Sequence, residues 1–179
     1  MAGEDAIDVL IGQHQQVSKL LDEVRIGPVE ERQARFDELR ELLAVHETAE
    51  ELILRPVVRR RVPDGDAVAD ARIGEENQSK DALADLEKLD ATSGEFLSAF
   101  IRFAEDVTQH AHNEETYEFP VLREHVDAED LAAMKKQIAV AESLAPTHPH
   151  PSARSTAANV VLGPFASLLD RARDAMSSG

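Results

Sequence analysis

The chain has 179 residues, of which 35 are acidic and 19 are basic, so its formal net charge is −16. A surface this acidic repels phosphate backbones and anionic lipids, which makes nucleic acid and membranes poor candidates as partners. Cysteine is absent, which excludes disulfides, thiolate metal ligands and cysteine nucleophiles.

Apolar residues recur with helical spacing along almost the whole chain, whereas strand-like alternation is hard to find. A first helix is predicted up to Gly27 and Pro28, a pair that is poor in helix interiors. A second helix follows and ends near the segment VPDGD. A third is predicted over about residues 66–89, and the loop DATSG separates it from a fourth.

Three residues indicate how these helices begin and continue. Ser93 is predicted to be the N-cap of the fourth helix, because its hydroxyl can accept a hydrogen bond from a free backbone N–H. Pro56 and Pro120 fall late in the second and fourth helices and are expected to kink these helices without ending them. Four amphipathic helices with short connections predict an all-α fold, an up-down-up-down four-helix bundle spanning residues 1–126.

The remaining residues, 127–179, are predicted to form a C-terminal helical extension that packs on the bundle. It contains a weaker helix over about residues 129–144, the stiff connector PTHPHP and a last helix over about residues 155–176. No apolar run approaches membrane-spanning length, and the N-terminal segment MAGEDAIDVL is acidic and unlike a signal peptide. We therefore expect a cytoplasmic protein.

The inward stripes of three predicted helices contain gaps in their apolar pattern, and side chains that can bind metals fill these gaps. They are His14 on the first helix, His46 and Glu50 on the second, and His110, Glu114 and Tyr117 on the fourth. Residues four apart lie on one helix face with Cβ atoms about 6 Å apart. The two His-x-x-x-Glu pairs are therefore expected to point into the interior together.

These pairs belong to an internal repeat with an offset of 64 residues. The segments HETAEELILRPVVR and HAHNEETYEFPVLR share His, Glu-Glu, Pro, Val and Arg without a gap, which argues against coincidence. Glu51 and Glu115, one position further round, are expected to face solvent or to pair along the helix. A single inward histidine such as His14 is more often a hydrogen-bonded core residue than a ligand. Buried unpaired carboxylates are costly, however, so two of them beside three histidines predict a bound cation.

The doubled motif resembles hemerythrin-like HHE cation-binding domains. The resemblance rests on a histidine in the first helix and on H-x-x-x-E-E followed by proline in the second and fourth, and it covers about residues 4–126. The connector PTHPHP also resembles longer bacterial members. In that family a four-helix bundle encloses two irons bridged by carboxylates and an oxo group, and histidines complete the coordination.

The resemblance implies a role for each matching residue. The terminal nitrogen ligands would be His14, His46 and His110, and the bridging carboxylates would be Glu50 and Glu114. The implied cofactor is a pair of non-haem iron ions. Manganese is the alternative, because mixed imidazole and carboxylate ligands suit both metals.

The third helix departs from the family pattern, which calls for a histidine that the segment IGEENQSKDALADLEKL lacks. If Leu83 and Leu86 mark the core face, Glu76 lies on that face and occupies the ligand position. Asn77 is the alternative if the register slips by one residue. Glu76 is otherwise a half-exposed helix residue that pairs with Lys80.

Tyr117 lies one turn past Glu114 on the same predicted stripe, where its repeat partner is Ile53. A phenolate could complete a coordination shell that has lost a histidine. A core tyrosine with a hydrogen-bonded hydroxyl is an equally open alternative. We hypothesise that Tyr117 binds one iron or directly neighbours it.

A diiron centre with an open position reacts with dioxygen, peroxide or nitric oxide. Carboxylate and phenolate in place of nitrogen add negative charge and stabilise ferric iron. Peroxide chemistry of the catalase or peroxidase type, or nitric oxide chemistry, is therefore expected in preference to dioxygen carriage. The alternatives are a dioxygen-binding protein and a redox or iron sensor without turnover. A metal-storage protein ranks lower, because one or two irons per chain would be inefficient storage. A structural zinc protein is disfavoured by the lack of cysteine.

Overall fold

The computed structural model describes residues 4–144, and within this range the regular secondary structure is helical, without strands. The α-helices are α1 (Ala6–Ile26), α2 (Arg32–Ala49), α3 (Arg55–Arg61), α4 (Gly65–Leu86), α5 (Gly94–Asn113), α6 (Phe119–His125) and α7 (Ala128–Leu144). A 3₁₀ turn, Val29–Glu31, precedes α2. The predicted connector PTHPHP and the helix predicted over residues 155–176 lie outside the described residues.

Two π-helical turns join helices into longer rods. The first π-turn, Glu50–Leu54, connects α2 to α3, and the second π-turn, Glu114–Glu118, connects α5 to α6. Both rods therefore run past Pro56 and Pro120 without ending, as predicted. With α1 and α4 they form the four-helix bundle, which confirms the predicted fold class.

The helix α7 packs against α1, α2 and the first π-turn. It contributes Leu131, Met134 and Ile138 to a core cluster shared with the bundle. The division into a bundle of residues 1–126 and an extension of residues 127–179 stays a prediction. In the part of the chain that is described, no helix combines the length and apolar character needed to cross a bilayer.

Local sequence signals account for the helix starts. Asp5 and Asp8 form a reciprocal capping box at the start of α1, each side chain accepting from the other's backbone N–H at 3.0 Å. Ser93 caps α5 as predicted, because its hydroxyl accepts from the backbone N–H of Phe96 at 3.0 Å. The turn into α4 needs Gly65, since a Cβ there would collide with the backbone of Val58.

The apolar core consists of two clusters with a polar layer between them. One cluster is aromatic, with Phe36 at 5.0 Å from Phe96 and 6.1 Å from Phe100 between ring centroids. On α1 this cluster begins at Val17, whereas the other cluster ends at Leu10. The buried polar residues Gln13 and His14 lie between them, so apolar side chains screen the polar layer at both ends.

Each π-turn adds one residue to its turn and so moves the inward stripe by one position. Val58 is buried, whereas Val57, four residues after the buried Ile53 and therefore inward by a straight helical count, is only half-buried. In the second repeat Glu118 is 1% exposed and Tyr117 is 66% exposed. The prediction that Tyr117 faces the interior, and with it its expected place beside an iron, is therefore wrong, because the helical period was counted straight through the π-turn.

Candidate metal centre

The buried polar layer contains two groups of metal-ligand side chains. The first consists of His14, His46, Glu50 and Glu114, and the second of Glu50, Glu76, His110 and Glu114. Within each group the ligand atoms, one from each residue, lie within 4.8 Å of one another. The groups share Glu50 and Glu114, which is the arrangement that lets two carboxylates bridge two ions.

The Nε2 atoms of the three histidines converge on the shared carboxylates. His14 Nε2 lies 3.1 Å from His46 Nε2 and 3.3 Å from Glu114 Oε2. His46 Nε2 lies 3.5 Å from Glu50 Oε1, and His110 Nε2 lies 3.4 Å from Glu114 Oε1. In the described part of the chain, Glu50 Oε1, Glu114 Oε2 and His110 Nε2 are buried without a hydrogen-bond partner. Converging imidazole nitrogen and carboxylate oxygen atoms without partners fit the donor set of a metal centre.

The Nδ1 atom of each histidine has a partner outside the ligand groups. The pairs are His14 with Glu115 Oε1 at 2.8 Å, His46 with Gln13 Oε1 at 2.7 Å, and His110 with Glu75 Oε2 at 2.8 Å. Because these partners are acceptor oxygens, Nδ1 donates its hydrogen to them, and Nε2 is the nitrogen that points to the centre. The three contacts therefore fix the ring orientation of the histidines.

These outer partners were missed in the sequence, where Glu115 was expected only to face solvent or pair along its helix. Glu115 is 40% exposed, yet it also binds a histidine of another helix. Glu75 is further held by Asn113 Nδ2 at 3.0 Å and by Arg72 at 2.7 Å. Each partner directly precedes or follows a predicted ligand, as in the pairs Gln13-His14, Glu75-Glu76 and Glu114-Glu115. That adjacency is the sequence signal that could have found them.

The register of α4 agrees with the prediction. Glu76 is 2% exposed, whereas Asn77 is exposed, so Glu76 is the residue of this helix that faces the centre. Lys80 Nζ also lies 4.0 Å from Glu76 and 3.4 Å from Glu47. The expected pairing with Lys80 and the inward position of Glu76 therefore coexist.

Two fully buried charged residues of the centre, Arg55 and Glu118, were not predicted from the sequence. Glu118 takes the inward position one residue later than Tyr117, as the π-turn requires, and Arg55 is buried between the shifted positions Leu54 and Val58. Arg55 Nη1 donates to Glu118 Oε1 at 2.5 Å, and Arg72 Nε lies 3.9 Å from Glu118 Oε2. The centre therefore contains a guanidinium–carboxylate pair in addition to the predicted ligands.

The electrostatics of the centre favour cations. Burial raises the pKa of Glu118 to about 8, and burial together with the charge of Glu50 raises the pKa of Glu76 to about 7. Burial by itself would lower the pKa of His110, but the nearby Glu50 and Glu114 outweigh it and raise this pKa to about 10. Both kinds of shift reflect surplus negative charge in a site shielded from water, which a metal ion would neutralise.

Comparison with known proteins identifies the family. The Hemerythrin HHE cation binding domain matches residues 5–122. The chain belongs to this family. An uncharacterized hemerythrin-like protein of Schizosaccharomyces pombe is 28% identical to it over 136 residues, which cover 75% of this chain and 67% of the relative.

A solved structure is similar to the hemerythrin HHE fold described above. The crystal structure of a hemerythrin HHE cation binding domain-containing protein from Mycobacterium kansasii matches with a TM-score of 0.76. The match covers 89% of this chain and 98% of that one at 21% sequence identity. At this identity the likeness supports the fold, and the resemblance inferred from the HHE motifs is confirmed at the level of the family.

Proposed function

We propose that this HHE domain holds two non-haem iron ions, with manganese as the alternative metal. His14 and His46 would bind one ion, Glu76 and His110 would bind the other, and Glu50 and Glu114 would bridge them. The observation that carries this proposal is that the two ligand groups share two buried carboxylates. Protein sites for two metals keep the ions about 3.5–4 Å apart, which bridging carboxylates allow.

The reactants are proposed to be small oxygen or nitrogen species, with peroxide turnover of the catalase or peroxidase type favoured and nitric oxide as the second substrate. The burial of the centre supports this class, because the most exposed of the six ligand side chains, His110, is only 11% exposed. A larger organic substrate could not reach ligands this deeply buried. A redox-active metal pair would supply the electron transfer that such reactions need.

The chain's own residues would hold and tune the centre. Gln13, Glu75 and Glu115 orient the imidazoles through Nδ1, which keeps Nε2 directed at the ions. Glu76 adds a negative charge and so favours ferric iron over ferrous iron. Tyr117 faces away from the proposed ligands. The preference for peroxide therefore depends on the negative charge of Glu76 and not on a phenolate.

Metal analysis tests the centre first. Protein expressed with sufficient iron and never exposed to chelators is measured by mass spectrometry for metal per chain. We expect two irons, or two manganese ions, per chain. One metal or none would contradict the dinuclear centre.

Peroxide turnover then tests the reaction. The loaded protein should consume peroxide continuously, releasing dioxygen as a catalase or requiring an added reductant as a peroxidase. A single reaction that stops would instead indicate a sensor, and a stable reversible dioxygen adduct of the ferrous protein would contradict the preference for peroxide. The Glu50→Ala variant serves as the metal-free control.

A further inference from the structure

The largest fully buried side chain of the described residues is Arg55, which is 2% exposed and directed into the centre. Its Nη2 atom donates to Glu76 Oε1 at 3.0 Å and to Glu50 Oε2 at 3.1 Å, and it also contacts Glu114. Its Nη1 atom donates to Glu118 at 2.5 Å. One guanidinium therefore connects four carboxylates, which come from the two rods and from α4.

This contact compensates a strong repulsion. Carboxylates that face one another away from water repel far more than exposed ones, because the surroundings screen their charges less. A guanidinium stays protonated under all ordinary conditions, so its positive charge is permanent. Arg55 thus differs from His110, which becomes neutral when its imidazole loses a proton.

Two of the four carboxylates, Glu50 and Glu114, are the proposed bridging ligands, and Glu76 is a proposed terminal ligand. Glu118 lies outside both ligand groups of the described residues. It can therefore stay bound to Arg55 when the other three carboxylates bind ions. Glu118 is in this sense the anchor of the guanidinium.

We propose that Arg55 is a positioning residue that acts as a resident cation: it holds the ligand carboxylates together before metal binds and competes with metal for them afterwards. The competition with metal rests on the proposed metal centre. The stabilisation of the metal-free fold does not depend on it. The two effects have opposite signs, which makes them separable by experiment.

The test uses the full chain after chelation and dialysis. Mn(II) is the metal, because its oxidation state does not change in buffer that contains no peroxide. The variants are Arg55→Met, Arg55→Lys, Glu118→Gln and the double variant Arg55→Met/Glu118→Gln. Arg59→Met is the matched control, since Arg59 lies in the same helix and makes exposed ion pairs with Asp66 and Asp70. Tm is measured with and without Mn(II), and the Mn(II) dissociation constant by calorimetry.

We expect Arg55→Met to lower the Tm of the metal-free protein by on the order of 10 °C, because it leaves buried carboxylates uncompensated. Mn(II) should then raise the Tm of this variant more than that of the wild type, and bind it more tightly. Glu118→Gln should leave the metal-free Tm unchanged or higher. It should also restore much of the Tm that Arg55→Met loses, while Arg59→Met has little effect.

An equal loss of Tm with and without Mn(II), and no recovery in the double variant, would show that Arg55 acts only by packing. If Arg55→Met does not fold, the other variants decide: a lower metal-free Tm for Glu118→Gln than for wild type would overturn the proposal. Unfolding of the wild type on chelation would also overturn it. A wild type that binds neither Mn(II) nor anaerobic Fe(II) would contradict the proposed function, but the metal-free Tm values would still test the role of Arg55.

Discussion

The two copies of the repeat, residues 46–59 and 110–123, fold in the same way but contain different buried side chains. In each copy a helix meets a π-turn that begins at the proposed ligand glutamate, Glu50 or Glu114, and a helix with proline follows. Val58 and Leu122, which are equivalent in the repeat, are both fully buried. The shared backbone therefore places one histidine and one carboxylate from each copy at the centre.

The difference lies in the two residues before the proline. The first copy has Leu54 and Arg55, and the second has Glu118 and Phe119. Phe119 stacks on His14 with ring centroids 5.8 Å apart, whereas Arg55 contacts the carboxylates. A nearly symmetric backbone thus supports two unequal groups of candidate ligands, one rich in imidazole and apolar surface and the other rich in charge.

The surroundings of the two π-turns also differ. Ile53 of the first π-turn is buried in the cluster that includes residues of α7, whereas its equivalent Tyr117 is exposed to solvent. The helix α7 packs against the first π-turn. Equivalent positions thus have different environments because one copy is covered by a helix that follows the repeat.

The largest effect is expected for the ligands that the repeats share. Glu50→Ala and Glu114→Ala should each reduce the metal content from two ions to fewer than one per chain, since both carboxylates are proposed to bridge the ions. Glu76→Ala should retain one ion, because it removes a ligand from one position only. Mass spectrometry measures the content, and Glu105→Ala, an exposed residue of α5, is the control. Equal losses for all three ligand variants would contradict the shared-carboxylate arrangement.

The next largest effect is a difference in unfolding free energy between substitutions of Ile53 and of Tyr117. Ile53→Ala should cost about 2–5 kcal/mol of unfolding free energy, because it removes a buried side chain. Tyr117→Ala should change it by no more than about 0.5 kcal/mol, as is usual for exposed positions. Urea unfolding measures both. A visible spectrum of the iron-loaded protein that changes in Tyr117→Phe would contradict the outward position of this tyrosine.

Outer partners should matter at both metal positions. Glu75→Ala is expected to weaken metal affinity about 10–100-fold, since His110 loses the acceptor that orients it. Glu75→Gln should weaken it less, because the amide oxygen still accepts from Nδ1. Calorimetric titration with Mn(II) measures the change, with Asp81→Ala on the exposed side of α4 as control. An unchanged affinity in Glu75→Ala would mean that packing alone orients His110.

The smallest effect concerns the arginines that end the two copies. Arg59 binds Asp66 and Asp70, and Arg123 binds Asp5 and Asp8 at the start of α1. Arg123→Ala should lower Tm by only about 2 °C at neutral pH, because its ion pairs are exposed.

This effect should depend on pH. The pKa of Asp8 is lowered by the backbone N–H of Asp5 and then by Arg123. A lowered carboxyl pKa stabilises the fold above the unfolded value near 3.8, and this stabilisation is lost as the pH falls through the folded pKa. The Tm difference between Arg123→Ala and wild type should therefore shrink in acid, and a difference that persists there would exclude an ionic cause.

The sequence by itself determined the helices, the Ser93 cap and the inward positions of His14, His46 and Glu50. These features depend on the helical period along one chain segment, which holds as long as the helix is regular. The same count placed Glu76 correctly on α4. It failed at Tyr117 because a π-turn adds one residue, and the nearby proline predicts a kink without saying where the extra residue lies.

The tertiary structure alone decided how Arg55, Glu118 and the three outer partners are used. Apart from Arg55–Glu50 and Arg72–Glu75, their contacts join different rods or helices, so they depend on how far one helix is rotated and shifted against its neighbour. Periodicity within one segment carries no information about that rotation. Hydrogen bonds also form only within a few tenths of an ångström of their optimal length, and this is why side chains of different helices, such as Gln13 and His46, find their partners only after the bundle has packed.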